Sequence, residues 1–216
     1  MRHEAAWTHP QSGQKNVLVL VDDLDNCQGA LESDESVYVE KAATKRFREF
    51  SAGRTIARRG LQRMHIPETT ILVDKDRCPI WPDGVIGSIS HSKDTVGVAL
   101  ARTGSFLSLG FDLESSAAAT RDLRDLILTE DERARKKDPG TAELTTLTFS
   151  CKESVYKAVF PITREFLDLR DIEISFSEGG YFAKCLKECR SRQHIENGKG
   201  FLEVGAKLVL TLFTIR

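Results

Sequence analysis

Two long stretches with helical periodicity, set among short apolar runs of strand length, constrain this chain more than any other feature. The first covers about residues 39–64. Phe47, Phe50, Ile56, Ala57, Leu61 and Met64 recur there at helical spacing, and Pro67 lies past the end. The second covers about residues 141–160, with Pro161 read as its stop. Apolar runs at 16–21, 69–73, 85–89, 95–101 and 106–112 read as strands, and so do 172–176, 181–186 and 208–215. Thr103-Gly104 and Gly179-Gly180 supply turns, Thr129 with Glu132 forms a capping-box pattern, and Asp138-Pro139-Gly140 breaks the chain. This order predicts an α+β fold with two similar subdomains, each a long helix packed on a small antiparallel sheet. The seam is expected near residues 102–108, dividing the chain into an N-terminal part, 1–105, and a C-terminal part, 106–216.

Charge and cysteine usage narrow the function. The formal net charge is −1, so no global field draws in nucleic acid, and an anion site must be a local cluster of Lys and Arg. The five cysteines, Cys27, Cys78, Cys151, Cys185 and Cys189, form no CxxC pair and read as free thiols of a reducing compartment. No apolar run approaches the ~20 residues that span a bilayer. The N-terminus lacks the apolar core of a signal peptide, so a cytoplasmic location is expected.

Four segments hold residues suited to chemistry. In GFDLE, Asp112 and Glu114 are two apart at a strand end and leave the same face. Paired carboxylates repel unless a cation lies between them, and hard oxygen donors suit magnesium. In FSCKESVYKA, Glu153 and Lys157 share one helix face, while Lys152 and Tyr156 share another. In GSISHS, Ser90, His91 and Ser92 with their backbone N–H groups suit a phosphate. Arg46, Arg48, Arg54, Arg58 and Arg59 line the first helix, with Lys75 and Arg77 in the irregular loop beyond it. Taken singly, each segment also fits an ordinary solvated surface. The histidines show no zinc spacing, and no GxSxG elbow surrounds Ser90 or Ser92.

Taken in order, GSISHS, GFDLE and FSCKESVYKA resemble the 4′-phosphopantetheinyl transferases. An EFxxGR core (Glu49, Phe50, Gly53, Arg54) and an RxPxWP loop (Arg77, Pro79, Trp81, Pro82) narrow the likeness to the enterobactin-type, siderophore-serving branch. The resemblance covers about residues 45–176 and implies an active site in the cleft between the two subdomains. It implies a magnesium ion, with manganese as a substitute, held by Asp112, Glu114 and Glu153. It also implies that Lys157, and with it Lys152, meets the pyrophosphate of coenzyme A. Arg46, Arg54, His91 and Ser90 would hold the nucleotide phosphates, and either Lys75 or Arg77 would lie near the adenine nucleotide. The implied reaction moves phosphopantetheine from coenzyme A to a serine of an apo acyl or peptidyl carrier protein and releases 3′,5′-ADP. Glu153 and Lys157 would be catalytic. Two fused halves imply a self-sufficient monomer. The competing readings are a magnesium-dependent nucleotide pyrophosphate hydrolase and an inactive coenzyme A-binding regulator.

Overall fold

A computed structural model describes residues 16–67, 70–116, 123–134 and 142–216. The chain divides into two compact units, Met1–Ser105 and Phe106–Arg216.

The first unit contains β1 (Val17–Asp23), a short α1 (Ser33–Ser36), α2 (Thr44–Arg63), β2 (Val85–Ser92) and β3 (Thr95–Arg102). The three strands pair antiparallel in the order β1-β3-β2. β3 is central and its VGVALA run is buried, as a strand covered on both faces requires. The periodic face of α2 buries Ala52, Ile56, Ala57 and Leu61 against Leu20, Val96, Val98 and Leu100.

Two expectations change here. The helix begins at Thr44 rather than near residue 39, because residues 37–39 make a separate 3-10 turn and Ala43 is extended (ψ 150°). Over residues 70–73 of the expected strand at 69–73, no strand forms. Within its described part, Val73 makes only an isolated antiparallel bridge to Pro79.

The second unit contains β4 (Ser108–Ser115), α3 (Arg124–Ile127), α4 (Glu130–Ala134) and α5 (Ala142–Thr163). After these come β5 (Ile172–Ser177), β6 (Gly180–Cys185), α6 (Arg192–Asn197), β7 (Lys199–Val204) and β8 (Leu208–Ile215). The five strands form an antiparallel sheet in the order β4-β8-β7-β6-β5. Cys151, Val155, Ala158 and Val159 of α5 enter its core with Ile172, Tyr181 and Phe213. Gly179 (φ +78°) turns β5 into β6, as a residue without Cβ can.

The helix does not stop at Pro161 but runs through it to Thr163. A proline in the last turn forfeits one N–H, and the end is still tied by Arg164 N–H to Phe160 O at 2.9 Å. α6 and β7 were not foreseen. The expected break at 138–140 lies outside the described residues. Among the described residues no helix is long and apolar enough to cross a membrane.

Candidate active site

The second unit gathers acids and a lysine where β4 meets α5. A Cβ at Gly110 would lie 2.0 Å from Ser154 O and 2.4 Å from Ala158 N. Only glycine lets the helix backbone come this close to the strand. Two residues on along the same strand face stands Asp112, 2% exposed, directly beside α5.

Both oxygens of Asp112 are engaged. Lys157 Nζ donates to Oδ1 at 2.6 Å and Ser150 Oγ donates to Oδ2 at 2.8 Å. Ser150 Oγ in turn lies 2.9 Å from Thr211 Oγ1, whose hydroxyl donates to Ser150 O at 2.8 Å. Ser150, Glu153 and Lys157 follow one another at i, i+3, i+7 and so form one stripe of α5. Burial holds the Glu153 carboxyl above the usual carboxylate range; Lys157 opposes this and the Asp112 charge adds to it. Glu114 stands half-buried farther along β4.

Among the described residues no three His, Cys, Asp or Glu side chains converge closely enough to hold an ion. What this structure shows is the Lys157 ammonium on Asp112, with Glu153 on the same stripe of α5 as the lysine. Lys152, expected to share the charge of the same phosphate, points elsewhere. It is wholly buried, and its Nζ donates to Ile127 O and Glu132 Oε2, each at 2.7 Å.

The expected nucleotide contacts lie in the first unit. Arg54 is 4% exposed and its guanidinium stacks over the Phe50 ring at 4.3 Å. Its Nε is buried with no hydrogen-bond partner. Burial pulls the Arg54 pKa down to about 10, with the Glu35 charge opposing. A buried, incompletely paired guanidinium is costly unless an anion meets it. Arg46 and Arg77 line one pocket of about 540 Å³ together with Tyr38, Lys41, Phe50 and Val73. Lys75 is exposed in the same loop as Arg77. Ser90 is buried on β2 opposite Gly97, and His91 Nε2 lies 3.8 Å from Glu49 Oε2.

Sequence reasoning missed Ser150, Thr211 and Tyr38. Ser150 lies inside the FSCKESVYKA segment, but its contacts are not local, and Tyr38 lies before residue 45, outside every motif. Thr211 had no signal, because it reaches Ser150 across 61 positions.

Residues 34–101 match the model of the 4′-phosphopantetheinyl transferase N-terminal domain, and residues 108–209 match that of the 4′-phosphopantetheinyl transferase superfamily. The chain belongs to the 4′-phosphopantetheinyl transferase superfamily. Among its relatives in this superfamily is 4′-phosphopantetheinyl transferase Svp of Streptomyces mobaraensis. That protein is 34% identical over 149 residues, covering 66% of this chain and 59% of the relative. The transferase PptT of Mycobacterium tuberculosis is 31% identical over 145 residues, covering 66% and 64%. Enterobactin synthase component D of Escherichia coli K12 is 36% identical over 124 residues, covering 56% and 58%. The chain thus spans about three fifths of the length of the curated relatives it matches.

Proposed function

We propose that this chain transfers the 4′-phosphopantetheine group of coenzyme A to a serine of an apo acyl or peptidyl carrier protein. In this reading it works as a magnesium-dependent monomer in the cytoplasm and releases 3′,5′-ADP. The observation that carries the proposal is the pair of buried Asp112 with part-buried Lys157, with Glu153 on the same stripe of α5 as the lysine. The enterobactin synthase relatives favour a carrier of a siderophore pathway.

The chemistry of the donors, though not yet their convergence, suits a hard divalent cation: Asp112 and Glu114 are carboxylates of β4, and Glu153 is a carboxylate of α5 on the stripe that meets Asp112. Asp112, Glu114 and Glu153 are the residues that would hold magnesium, which when bound supplies charge neutralisation at the pyrophosphate.

The remaining roles belong to the chain. The carrier serine Oγ bonds to the phosphorus that bears pantetheine, and the bond from that phosphorus to the bridging oxygen breaks. The serine proton passes to Glu153, the carboxylate on the same stripe of α5 as Lys157. Lys157, only part-buried, offers its ammonium to the phosphoryl oxygens. Arg54, with its unpaired Nε, and Arg46 and Arg77 in their pocket supply cations for the nucleotide phosphates.

The test is incubation with coenzyme A, magnesium and a panel of apo carriers, followed by intact mass. A carrier heavier by one phosphopantetheine is the expected result. Release of free phosphopantetheine without carrier modification would indicate the hydrolase, and binding without turnover would indicate the regulator.

A further inference from the structure

The Lys152 amine lies wholly out of water. Its Nζ donates to Ile127 O, at the end of α3, and to Glu132 Oε2 in α4, both at 2.7 Å. Glu132 is 4% exposed. Its Oε2 also accepts the Thr129 N–H at 2.8 Å, and its Oε1 accepts the Ile174 N–H of edge strand β5 at 2.7 Å. One pair of side chains therefore ties together α3, α4, α5 and β5.

An ion pair taken out of water adds little net stability, and an apolar pair of similar volume does as well or better. What the pair supplies is direction, because each hydrogen bond fixes an angle as well as a distance. Adjacent residues on a helix point about 100° apart. Holding Lys152 against Glu132 therefore sets where Glu153 points. On another side of the helix, Gly110 seats the backbone of residues 154–158 on β4. Between these two fixings runs the stripe of Ser150, Glu153 and Lys157 that meets Asp112.

We propose that Glu132 and Lys152 are positioning residues: their buried pair fixes the rotation of α5 about its axis and so aims Glu153 at Asp112. The purpose of that aim rests on the transfer reading above; the aim itself does not.

The test removes both charges together, in Lys152→Met/Glu132→Gln, so that neither partner is left buried without the other. Thermal unfolding is expected within about 5 °C of the unsubstituted protein. Coenzyme A affinity, measured by calorimetry without metal, stays within about twofold, because the basic residues are untouched. Magnesium affinity, titrated in the presence of coenzyme A, falls about 10- to 100-fold, as for other changes behind a ligand. Turnover falls by a similar factor while KM for the carrier holds.

A purely structural pair would lower the unfolding temperature and leave magnesium affinity and turnover unchanged, and that result overturns the inference. If the double variant does not fold, Glu132→Asp keeps the charge and shortens the reach. It must then show the same loss of magnesium affinity at smaller size, and unchanged affinity overturns the inference again. A protein that modifies no carrier but binds magnesium, with binding weakened in the double variant, sinks the transfer reading alone. Absence of magnesium binding in the unsubstituted protein sinks both.

Discussion

In the first unit, Glu35 closes a capping box with Glu32, accepts the Ile71 N–H at 2.8 Å and takes Arg58 Nη1 at 2.7 Å. In the second, Glu132 closes a box with Thr129, accepts the Ile174 N–H at 2.7 Å and takes Lys152 Nζ at 2.7 Å. Each unit thus uses a buried glutamate on a short helix to hold a cation of its long helix and a backbone N–H of a distant segment. The cations differ. Arg58 keeps 13% of its side chain exposed, and its Nη2 reaches Ala30 O at 2.7 Å, whereas Lys152 has no exposure. The helices also carry opposite loads. α2 presents Arg54 with an unpaired Nε, and α5 presents Glu153 beside Asp112. In the transfer reading, a shared way of fixing a helix would serve anion binding in one unit and carboxylate chemistry in the other.

The sharpest way to break that division of labour is Glu153→Gln. Turnover is expected to fall about 10²- to 10⁴-fold, the usual range for removing a general base. Coenzyme A affinity measured without metal should hold, because the loss is confined to the carboxylate side. Full turnover with normal binding would leave Glu153 without a role in proton transfer.

The second comparison sets Glu132→Gln against Glu35→Gln. The first strands an ammonium that has no route to water and should cost about 3–5 kcal/mol of stability. The second leaves Arg58 with Ala30 O and partial solvent contact, and should cost about 1–3 kcal/mol. Urea unfolding of both variants decides the order. Equal losses would mean that the sealed environment of Lys152 does not matter.

Arg54→Met probes the cationic load. Methionine keeps much of the packing on Phe50 but removes the guanidinium. Coenzyme A affinity should drop about 10- to 100-fold, the equivalent of one charged hydrogen-bond partner. Stability should hold or rise, because a buried cation with an unmatched N–H is removed. Unchanged affinity would take Arg54 out of the anion site.

The sequence made local relations legible and left distant ones dark. The capping box at Thr129 and Glu132 was visible because its partners are three residues apart, and both of its hydrogen bonds form, at 2.8 and 3.1 Å. The fate of Lys152 was not visible, because Glu132 lies twenty positions upstream and nothing local marks the lysine as buried. Asp112 and Lys157 lie in two recognisable motifs, and the structure brings them together across 45 positions. β7 escaped notice for a related reason. KGFLEV sets Phe201 and Leu202 side by side and so breaks the alternation of a half-buried strand, and it becomes a strand by pairing with β8 and β6. Pro161 misled because the helix runs two residues past it: the proline forfeits one N–H, and the Arg164 N–H to Phe160 O bond still closes the end.

The smallest effect concerns a surface carboxylate that belongs to the second unit. Glu165 follows α5 and reaches the segment before α6. It accepts from Ser191 Oγ at 2.7 Å, Ser191 N–H at 2.9 Å, and Arg190 N–H and Nε at 3.2 Å. The Ser191 hydroxyl is the first cause holding its pKa down to about 2, against an ordinary 4.5. The folded state therefore binds fewer protons than the unfolded state between these two values. The stabilisation is fully present above pH 4.5, fades as pH falls, and is lost as pH passes through about 2. Glu165→Gln should remove this dependence, so that urea unfolding between about pH 5 and pH 2 shows a shallower fall in stability than the unsubstituted protein. Salt should blunt the difference, since the Glu165 side chain keeps 20% exposure and its Arg190 partner 76%. Hydrogen exchange adds a spatial check: on acidification, protection should drop first in peptides spanning 163–168 and 189–197 and later in those of β1 and β3. If α2 and the first sheet opened before these peptides did, Glu165 would not be the acid-labile contact.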